Sequence, residues 1–191
     1  RLDIVCLQET NIEPNTFSDS KIPERFNIIT NNSKNGFGTC MLVRRIFSYE
    51  NVIMDTDGRL ICLDINNVTI TNLYLLSGTD HASKTARENY IDNIPNYLLY
   101  KKENGIIGGD LNSIVDKKDS LNYPEQKISK CFKKLISLYN LTDSYRELYP
   151  HSKMFSRFYT SKGVSGATRI DRCYTWGNLT VTEAEYLPVS F

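Results

Sequence analysis

The chain has 191 residues, 40% hydrophobic and 24% charged, and a chain of this size and composition can bury one core without metals or disulfides. Its net charge of +1 excludes a strongly basic protein that coats nucleic acid, although a local basic groove is compatible with that total. The five cysteines form no C-x-x-C pair and no apolar run could span a membrane, so we expect reduced thiols in an intracellular protein.

Strand signals dominate the first half of the chain. Residues 4–7 form a short apolar run that ends at Gln8-Glu9-Thr10, and residues 39–43 follow a glycine-containing turn. Residues 60–65 and 68–75 are separated by Asn66-Asn67, which predicts a β-hairpin. Later, Ile106-Ile107 runs into Gly108-Gly109-Asp110, and further strands are predicted at 154–159, 169–174 and 179–187.

The first predicted helix begins near Asp80, a favourable N-cap residue. Its spacing predicts that one face packs on the core. Pro95 is expected to kink this helix or to separate its last turn. The residues predicted on the core face are Ala82, Ala86, Tyr90, Ile94 and Leu98.

The second predicted helix has an apolar face and an opposite face rich in lysine. The lysines indicate either a solvated surface or a contact with DNA. The apolar positions are Ile128, Cys131, Phe132, Leu135 and Leu138, and the lysines are Lys127, Lys130, Lys133 and Lys134. Many strands with two helices between them predict a single domain of two packed sheets with helices outside.

Polar residues follow several of these apolar runs, where a scaffold can orient them. Glu9 is either a ligand for a hard cation or an exposed loop residue. Asp110 and Asn112 lie two residues apart, which predicts either a catalytic carboxylate–amide pair or an Asx-type turn. The alternating charged and apolar residues of Arg169-Ile170-Asp171-Arg172 indicate either a functional site or a half-exposed strand. Tyr74, which closes an apolar strand, is either a core residue or a residue at the rim of a site.

The combination is more specific than its parts. The motifs D-I-V-C-L-Q-E-T, N-L-Y, G-G-D-L-N and R-I-D-R, in this order, resemble the endonuclease/exonuclease/phosphatase superfamily, and most closely the apurinic-type endonuclease domain of non-LTR retrotransposons. The resemblance implies a DNase I-like four-layer α/β sandwich, in which two mainly antiparallel or mixed β-sheets are flanked by helices. It also implies a DNA-nicking hydrolase that depends on Mg²⁺, with Mn²⁺ as a possible substitute.

The resemblance assigns a role to each matching position. Glu9 is expected to bind the metal, and Tyr74 to contact the region of the scissile phosphate. Asp110 is expected to orient or deprotonate the attacking water, and Asn112 to position the phosphate and Asp110. Asp171 is expected to orient a histidine.

Four further positions are candidate contacts with nucleic acid. Ser77 replaces the asparagine of many relatives and has a shorter reach. Arg157, Lys162 and Arg172 lie near a glycine-containing turn, which predicts either a hairpin that probes DNA or an exposed turn. Thr168 stands where abasic-site repair enzymes tend to carry a tryptophan, which disfavours recognition of abasic sites.

The family pattern also begins with an asparagine-bearing strand and ends with a Ser-Asp-His motif, and neither is present in residues 1–191. We therefore expect these residues alone to have little nuclease activity. The expected partners are DNA and a reverse transcriptase domain of the same polyprotein, in the nucleus, with no membrane. The alternatives are a phosphatase of the same fold acting on sugar or lipid phosphates, and a non-catalytic remnant that binds nucleic acid.

Overall fold

The computed structural model describes residues 2–10, 24–34, 37–121, 128–161 and 163–187. The strands in these ranges are β1 (Ile4–Gln8), β2 (Phe26–Asn32), β3 (Gly38–Arg44), β4 (Glu50–Met54), β5 (Leu60–Ile65), β6 (Val68–Leu73), β7 (Asn104–Asp110), β8 (Thr142–Asp143), β9 (Arg157–Ser161), β10 (Val164–Thr168) and β11 (Asp171–Trp176). The helices are α1 (His81–Tyr97), α2 (Lys130–Tyr139) and α3 (Ser144–Leu148), and a 3₁₀ turn covers Lys117–Asp119.

The strands form two main sheets and a separate hairpin. The larger sheet has the order β4-β5-β6-β7-β11-β8, in which only β6 and β7 run parallel. The smaller sheet has the order β1-β3-β2 and is antiparallel. Strands β9 and β10 form a two-stranded hairpin. Because β6 and β7 are parallel and β11 is antiparallel to β7, the ends of β6 and β7 and the start of β11 meet at one edge.

Each face of the larger sheet covers a different apolar core. On one face, side chains of β5, β6, β7 and β11 pack against α1 and α2, with Phe132 fully buried and its ring centroid 5.5 Å from that of Tyr174. On the other face, side chains of β5 and β6 pack against Ile29, Met41 and Val43 of the smaller sheet. This layered arrangement confirms the predicted DNase I-like α/β fold of two sheets with helices outside.

The predicted hairpin is confirmed, with β5 and β6 joined at Asn66, whose φ of 53° suits an asparagine in a tight turn. The strand predicted at 154–159 is displaced to β9, and that at 169–174 to β11. The prediction of a strand at 179–187 is wrong. These residues have no hydrogen-bonded neighbour strand in the described part of the chain, and residues 179–186 line a cleft with β1, β7 and β11.

Helix α1 departs from its predicted form in two ways. Asp80 is its N-cap as expected and accepts a hydrogen bond from Ser83 N at 2.9 Å. Pro95 does not separate the last turn, because the helix continues to Tyr97. On the predicted core face, Tyr90, Ile94 and Leu98 are buried as expected, but Ala82 and Ala86 are exposed, and Arg87 and Ile91 are buried in addition.

Helix α2 begins later than predicted. Ile128 forms a β-bridge with Ile114 instead of joining the helix, and Ser129 is the N-cap, accepting from Phe132 N at 3.0 Å. Leu138 is 60% exposed, so it does not belong to the core face. Lys130, Lys133 and Lys134 are exposed as predicted, whereas Lys127 lies outside the described residues. None of the described helices is long and apolar enough to cross a membrane.

Candidate active site

Polar residues from four strands meet at the edge where β6 and β7 end. Glu9 follows β1, Tyr74 follows β6, Asp110 ends β7 and Asp171 begins β11. Asp110 and Asp171 are register partners in the antiparallel β7–β11 pair. We call Glu9, Asp110 and Asp171 the acidic site.

Glu9 and Tyr74 are joined by a direct hydrogen bond. Glu9 has a left-handed backbone with φ of 53°, and its Oε1 accepts from the Tyr74 hydroxyl at 2.5 Å. Tyr74 is 2% exposed. Burial and the hydrogen bond with the Glu9 carboxylate raise the pKa of Tyr74 to about 12, so its phenol stays protonated and remains a donor.

Asp110 and Asn112 form a compact turn, which confirms the Asx-type turn, and the catalytic carboxylate–amide pair stays a prediction. Asn112 N donates to Asp110 Oδ1 at 2.9 Å, the bond of an Asx-type turn. Asn112 Nδ2 donates to Asp110 Oδ2 at 3.1 Å and to Leu75 O at 2.9 Å, so the amide fixes the carboxylate. Burial, with smaller contributions from Asp171 and Glu9, raises the pKa of Asp110 to about 6. A carboxylate near that value suits a general base at neutral pH.

Gly109 allows the chain to bring these groups together. Its φ is 139°, and a Cβ there would lie 2.1 Å from Leu73 O and 3.2 Å from Gln8 Nε2. The backbone of β7 therefore passes so close to the end of β6 and to Gln8 that only glycine fits.

Asn72 supports the candidate site by hydrogen bonds, a role that was not predicted from the sequence although Asn72 begins the N-L-Y motif. It is fully buried, and its Nδ2 donates to Leu7 O and to Cys40 O, both at 3.0 Å. Its Oδ1 accepts from Gln8 Nε2 at 2.7 Å. These bonds connect the larger sheet to the end of β1, which carries Glu9. The available signal was an amide side chain in the strand that ends at the motif tyrosine.

The arginines of the R-I-D-R motif lie in a buried ion network with Asp119, Asp143 and Arg146. Arg169 Nε donates to Asp119 Oδ1 at 2.8 Å, and its Nη2 to Asp143 Oδ2 at 2.6 Å. Burial by itself would lower the pKa of Arg169, but the bonds to Asp143 and the charge of Asp119 outweigh it and raise that pKa. Arg146 Nη2 lies 3.3 Å from Asp119 Oδ1.

The prediction that Arg172 belongs to a DNA-probing hairpin is wrong. Its side chain is fully buried, with Nη1 3.1 Å from Asp119 Oδ2, and it also donates to Ser113 O. The interpretation of the motif as a half-exposed surface strand is wrong for Arg169 as well, which is 1% exposed. Asp171 points to the other face of β11 from Arg172, because successive side chains of a strand alternate.

The remaining candidate contacts lie at the rim. Ser77 is exposed in the loop after Tyr74, and its hydrogen bond with the phenol slightly opposes the rise in the Tyr74 pKa. Arg87 of α1 holds this loop by donating to Leu76 O at 2.6 Å. Arg157 is exposed at the start of β9, close enough for its charge to lower the pKa of Asp110. Lys162 lies outside the described residues.

The described residues contain no cluster of three or more His, Cys, Asp or Glu side chains arranged to hold a metal ion. The donor set nevertheless fits Mg²⁺, which is usually held by one or two carboxylates together with waters and substrate phosphate. Glu9 presents a carboxylate at the edge, and Tyr74 engages only its Oε1 among the bonds of the described residues. The site therefore suits a metal that substrate helps to bind.

Comparisons with known proteins agree with this geometry. A sequence profile described as the Endonuclease/Exonuclease/phosphatase family matches residues 1–190, whereas a search of curated proteins gives no significant match. An AP endonuclease from Archaeoglobus fulgidus superposes with a TM-score of 0.75 and 19% identity, over 91% of this chain and 76% of that chain. The 3'-5' exonuclease NExo from Neisseria meningitidis superposes with a TM-score of 0.76 and 20% identity, over 91% of this chain and 76% of that chain. The Xenopus laevis APE2 catalytic domain superposes with a TM-score of 0.70 and 17% identity, over 91% of this chain and 74% of that chain.

Proposed function

The chain belongs to the Endonuclease/Exonuclease/phosphatase family, and from this premise we propose that it is a Mg²⁺-dependent endonuclease that nicks DNA. The observation that carries the proposal is the convergence of Glu9, Tyr74, Asp110 and Asn112, which are distant in sequence, at one edge of the larger sheet. A carboxylate whose pKa is raised to about 6 lies among them, as expected for a group that accepts a proton near neutral pH.

Each of these side chains has a task in the proposed reaction. Glu9 would hold Mg²⁺ (or Mn²⁺), which when bound polarises the phosphate and stabilises charge on the leaving oxygen. Asp110 would accept a proton from the attacking water, and Asn112 keeps that carboxylate in one orientation through its two hydrogen bonds to it. Tyr74 stays protonated and orients Glu9. Asp171 would orient a further group on the opposite side of the phosphate.

The exposed β9–β10 hairpin supports DNA as the substrate. Arg157 and Phe158 are exposed at the base of the hairpin, and Phe158 is 72% exposed. A cationic and an aromatic side chain together suit a nucleic acid, because one pairs with phosphate and the other stacks on a base. Ser77, on the loop held by Arg87, would contact the same strand near Tyr74.

We also propose that this endonuclease serves a non-LTR retrotransposon. The support is the resemblance of the D-I-V-C-L-Q-E-T and R-I-D-R motifs to such domains, together with Thr168 in place of the tryptophan typical of abasic-site repair enzymes. In that role the nick leaves a 3′-hydroxyl that primes a reverse transcriptase domain of the same polyprotein in the nucleus. A reverse transcriptase in the adjoining coding sequence is the observation expected.

The experiment uses the polypeptide encoded by the complete reading frame, incubated with supercoiled plasmid and Mg²⁺ or EDTA. We expect conversion to the nicked circle with Mg²⁺ only. Asp110→Ala should lower the rate by about 10²–10⁴-fold, the usual contribution of a general base. Glu103→Ala is the matched control, because Glu103 is an exposed carboxylate beside the opposite end of β7, and its activity should stay within about twofold of wild type.

The alternatives predict different results in the same assay. A phosphatase would release phosphate from inositol phosphates while leaving the plasmid supercoiled. A non-catalytic remnant would bind DNA in a salt-sensitive way without cleaving it. Either outcome would overturn the proposed endonuclease.

A further inference from the structure

Asp171 is held in a different way from Asp110. Asn112 fixes the carboxylate of Asp110 directly, whereas no side chain of the described residues bonds to the carboxylate of Asp171. The hydrogen bonds of Asp171 use its main chain instead. Its N–H donates to Ser156 Oγ at 3.1 Å, and its carbonyl accepts from the Tyr186 hydroxyl at 2.7 Å. The position of the Asp171 carboxylate therefore depends on how two hydroxyl groups hold its backbone.

The two hydroxyls take the place of a neighbouring strand at the beginning of β11. Leu111 N donates to the carbonyl of Ile170 at 2.9 Å, so that carbonyl points toward the β7 side. The N–H and carbonyl of the next residue, Asp171, then point away from β7, because main-chain groups alternate along an antiparallel strand. They face the side on which β8 pairs with β11 only further along the strand. The hydroxyls satisfy main-chain groups that no strand of the described residues covers.

Repulsion across the β7–β11 pair gives this anchoring a purpose. Asp110 and Asp171 lie directly opposite each other, and their main-chain groups do not bond across the pair, so their side chains approach closely. Like charges in such a pair are destabilising. Fixing both the N–H and the carbonyl of Asp171 limits the shift and the twist by which β11 could relieve this repulsion.

Both hydroxyl groups are themselves held in place. Ser156 Oγ also accepts from Ile170 N at 3.0 Å, and Ser156 N donates to Thr168 O at 3.0 Å, which ties it to the end of β10. The Tyr186 ring packs edge-on against Tyr145 of α3, with ring centroids 5.0 Å apart. Burial raises the pKa of Tyr186, so its hydroxyl keeps the proton that it donates.

We propose that Ser156 and Tyr186 are positioning residues of the nuclease site, which hold the Asp171 carboxylate opposite Asp110 by fixing the main chain of Asp171. This inference rests on the proposed function, because Asp171 has its task in that reaction. Neither positioning residue belongs to the four motifs that carry the family resemblance. Because both act through Asp171, losing either hydroxyl should lower kcat and leave KM unchanged.

The test is a double-variant cycle in the nicking assay, with the polypeptide encoded by the complete reading frame. Tyr186→Phe removes the hydroxyl and keeps the ring, and we expect kcat to fall by about 10-fold, since small misplacements near reacting atoms are costly. In an Asp171→Asn background the same substitution should lower kcat by less than about twofold, because residues that act as a unit are not additive. Ser156→Ala should behave likewise, and Ser156→Thr, which keeps a hydroxyl, should recover most of the rate.

Tyr145→Phe is the matched control. It keeps a ring in the same aromatic contact and loses a hydroxyl that shares a hydrogen bond with Ser152 Oγ at 3.0 Å, away from Asp171. Its kcat should stay within about twofold of wild type. Thermal unfolding of every variant identifies those that are folded, and if Ser156→Ala does not fold, the Tyr186→Phe cycle decides alone.

Two results would overturn the proposal while the proposed function stands. One is an unchanged kcat for Tyr186→Phe in an otherwise wild-type chain. The other is an equal loss from Tyr186→Phe in the wild-type and Asp171→Asn backgrounds, which would mean that the hydroxyl does not act through Asp171. A wild type that does not nick DNA would instead overturn the proposed function, and this inference with it.

Discussion

The acidic site and the buried ion network use the same types of residue in opposite ways. They adjoin on one strand, because Asp171 belongs to the acidic site and Arg172 to the network. In the network, Asp119 and Asp143 are each paired with a guanidinium within 3.1 Å. In the acidic site, the described residues supply no ion pair to Glu9, Asp110 or Asp171.

The difference shows which carboxylates hold the fold and which are available to a ligand. Paired, buried charges hold β11 and the residues just before it against the 3₁₀ turn and β8. Burial, with smaller contributions from the charges of Asp171 and Glu9, raises the pKa of Asp110, so this unpaired carboxylate is costly to ionise. An unpaired carboxylate that is costly to ionise is expected where a bound cation or a reacting group compensates that free energy during function. The predictions below test this division.

The largest expected effect is the loss of stability when a network carboxylate is removed. Asp119→Ala leaves the buried guanidinium of Arg172 without a carboxylate partner and that of Arg169 with Asp143 alone, so we expect a loss of about 3–5 kcal/mol in the free energy of unfolding. Urea denaturation measures it. Asp92→Ala is the control, because its ion pair with Lys134 is exposed and should contribute less than about 1 kcal/mol. Equal, small losses for both variants would contradict the division.

A smaller effect of opposite sign is expected in the acidic site. The pKa of Asp110 is raised in the folded state, so the folded protein binds its proton more tightly and loses stability as pH rises from about 4 to about 6. Asp110→Asn removes this penalty. A rise of roughly two pH units is equivalent to about 3 kcal/mol for a fully shielded group, and partial exposure of Asp110 reduces the expected gain to about 1–2 kcal/mol.

The measurement is the difference in unfolding free energy between Asp110→Asn and wild type, in EDTA, at several pH values. The difference should grow from pH 4 to pH 6 and stay constant above about pH 7. Comparing pH values cancels any fixed cost of changing the bonds with Asn112, because that cost does not titrate. A difference that is independent of pH would show that Asp110 titrates normally.

The sequence predicted the strands that have strong local signals and the site residues that have a motif. The β5–β6 hairpin follows from Asn66-Asn67, and Glu9, Asp110 and Asp171 follow from the ends of apolar runs. Their convergence required the resemblance to a family, because contacts between distant strands are not encoded in local spacing.

The errors share a physical cause, which is that tertiary partners override local pattern. Arg87 is buried on α1 instead of Ala82 and Ala86 because the carbonyls of Leu76 and Gly78 accept its hydrogen bonds. Ile128 leaves the helical pattern because it bridges to Ile114. Arg172 is equally instructive, because it belongs to a motif but is buried in the ion network.

The smallest expected effect tests the electrostatics of the acidic site itself. The charge of Asp171 raises the pKa of Asp110, and that of Arg157 lowers it. Asp171→Asn should therefore lower the pH midpoint of Asp110, and Arg157→Gln should raise it, each by roughly 0.2–0.5 pH units for charges that solvent screens at least in part. Carboxyl ¹³C NMR can follow this titration, with the Asp110 signal assigned by its absence in Asp110→Asn.

High salt distinguishes the two variants further. Arg157 is exposed, so about 1 M salt should abolish its effect, whereas the effect of Asp171, the partly buried neighbour of Asp110 across the β7–β11 pair, should largely persist. Shifts of the same sign in both variants would mean that the titration of Asp110 is governed by backbone rearrangement, and the acidic site would then not be a balance of unpaired charges.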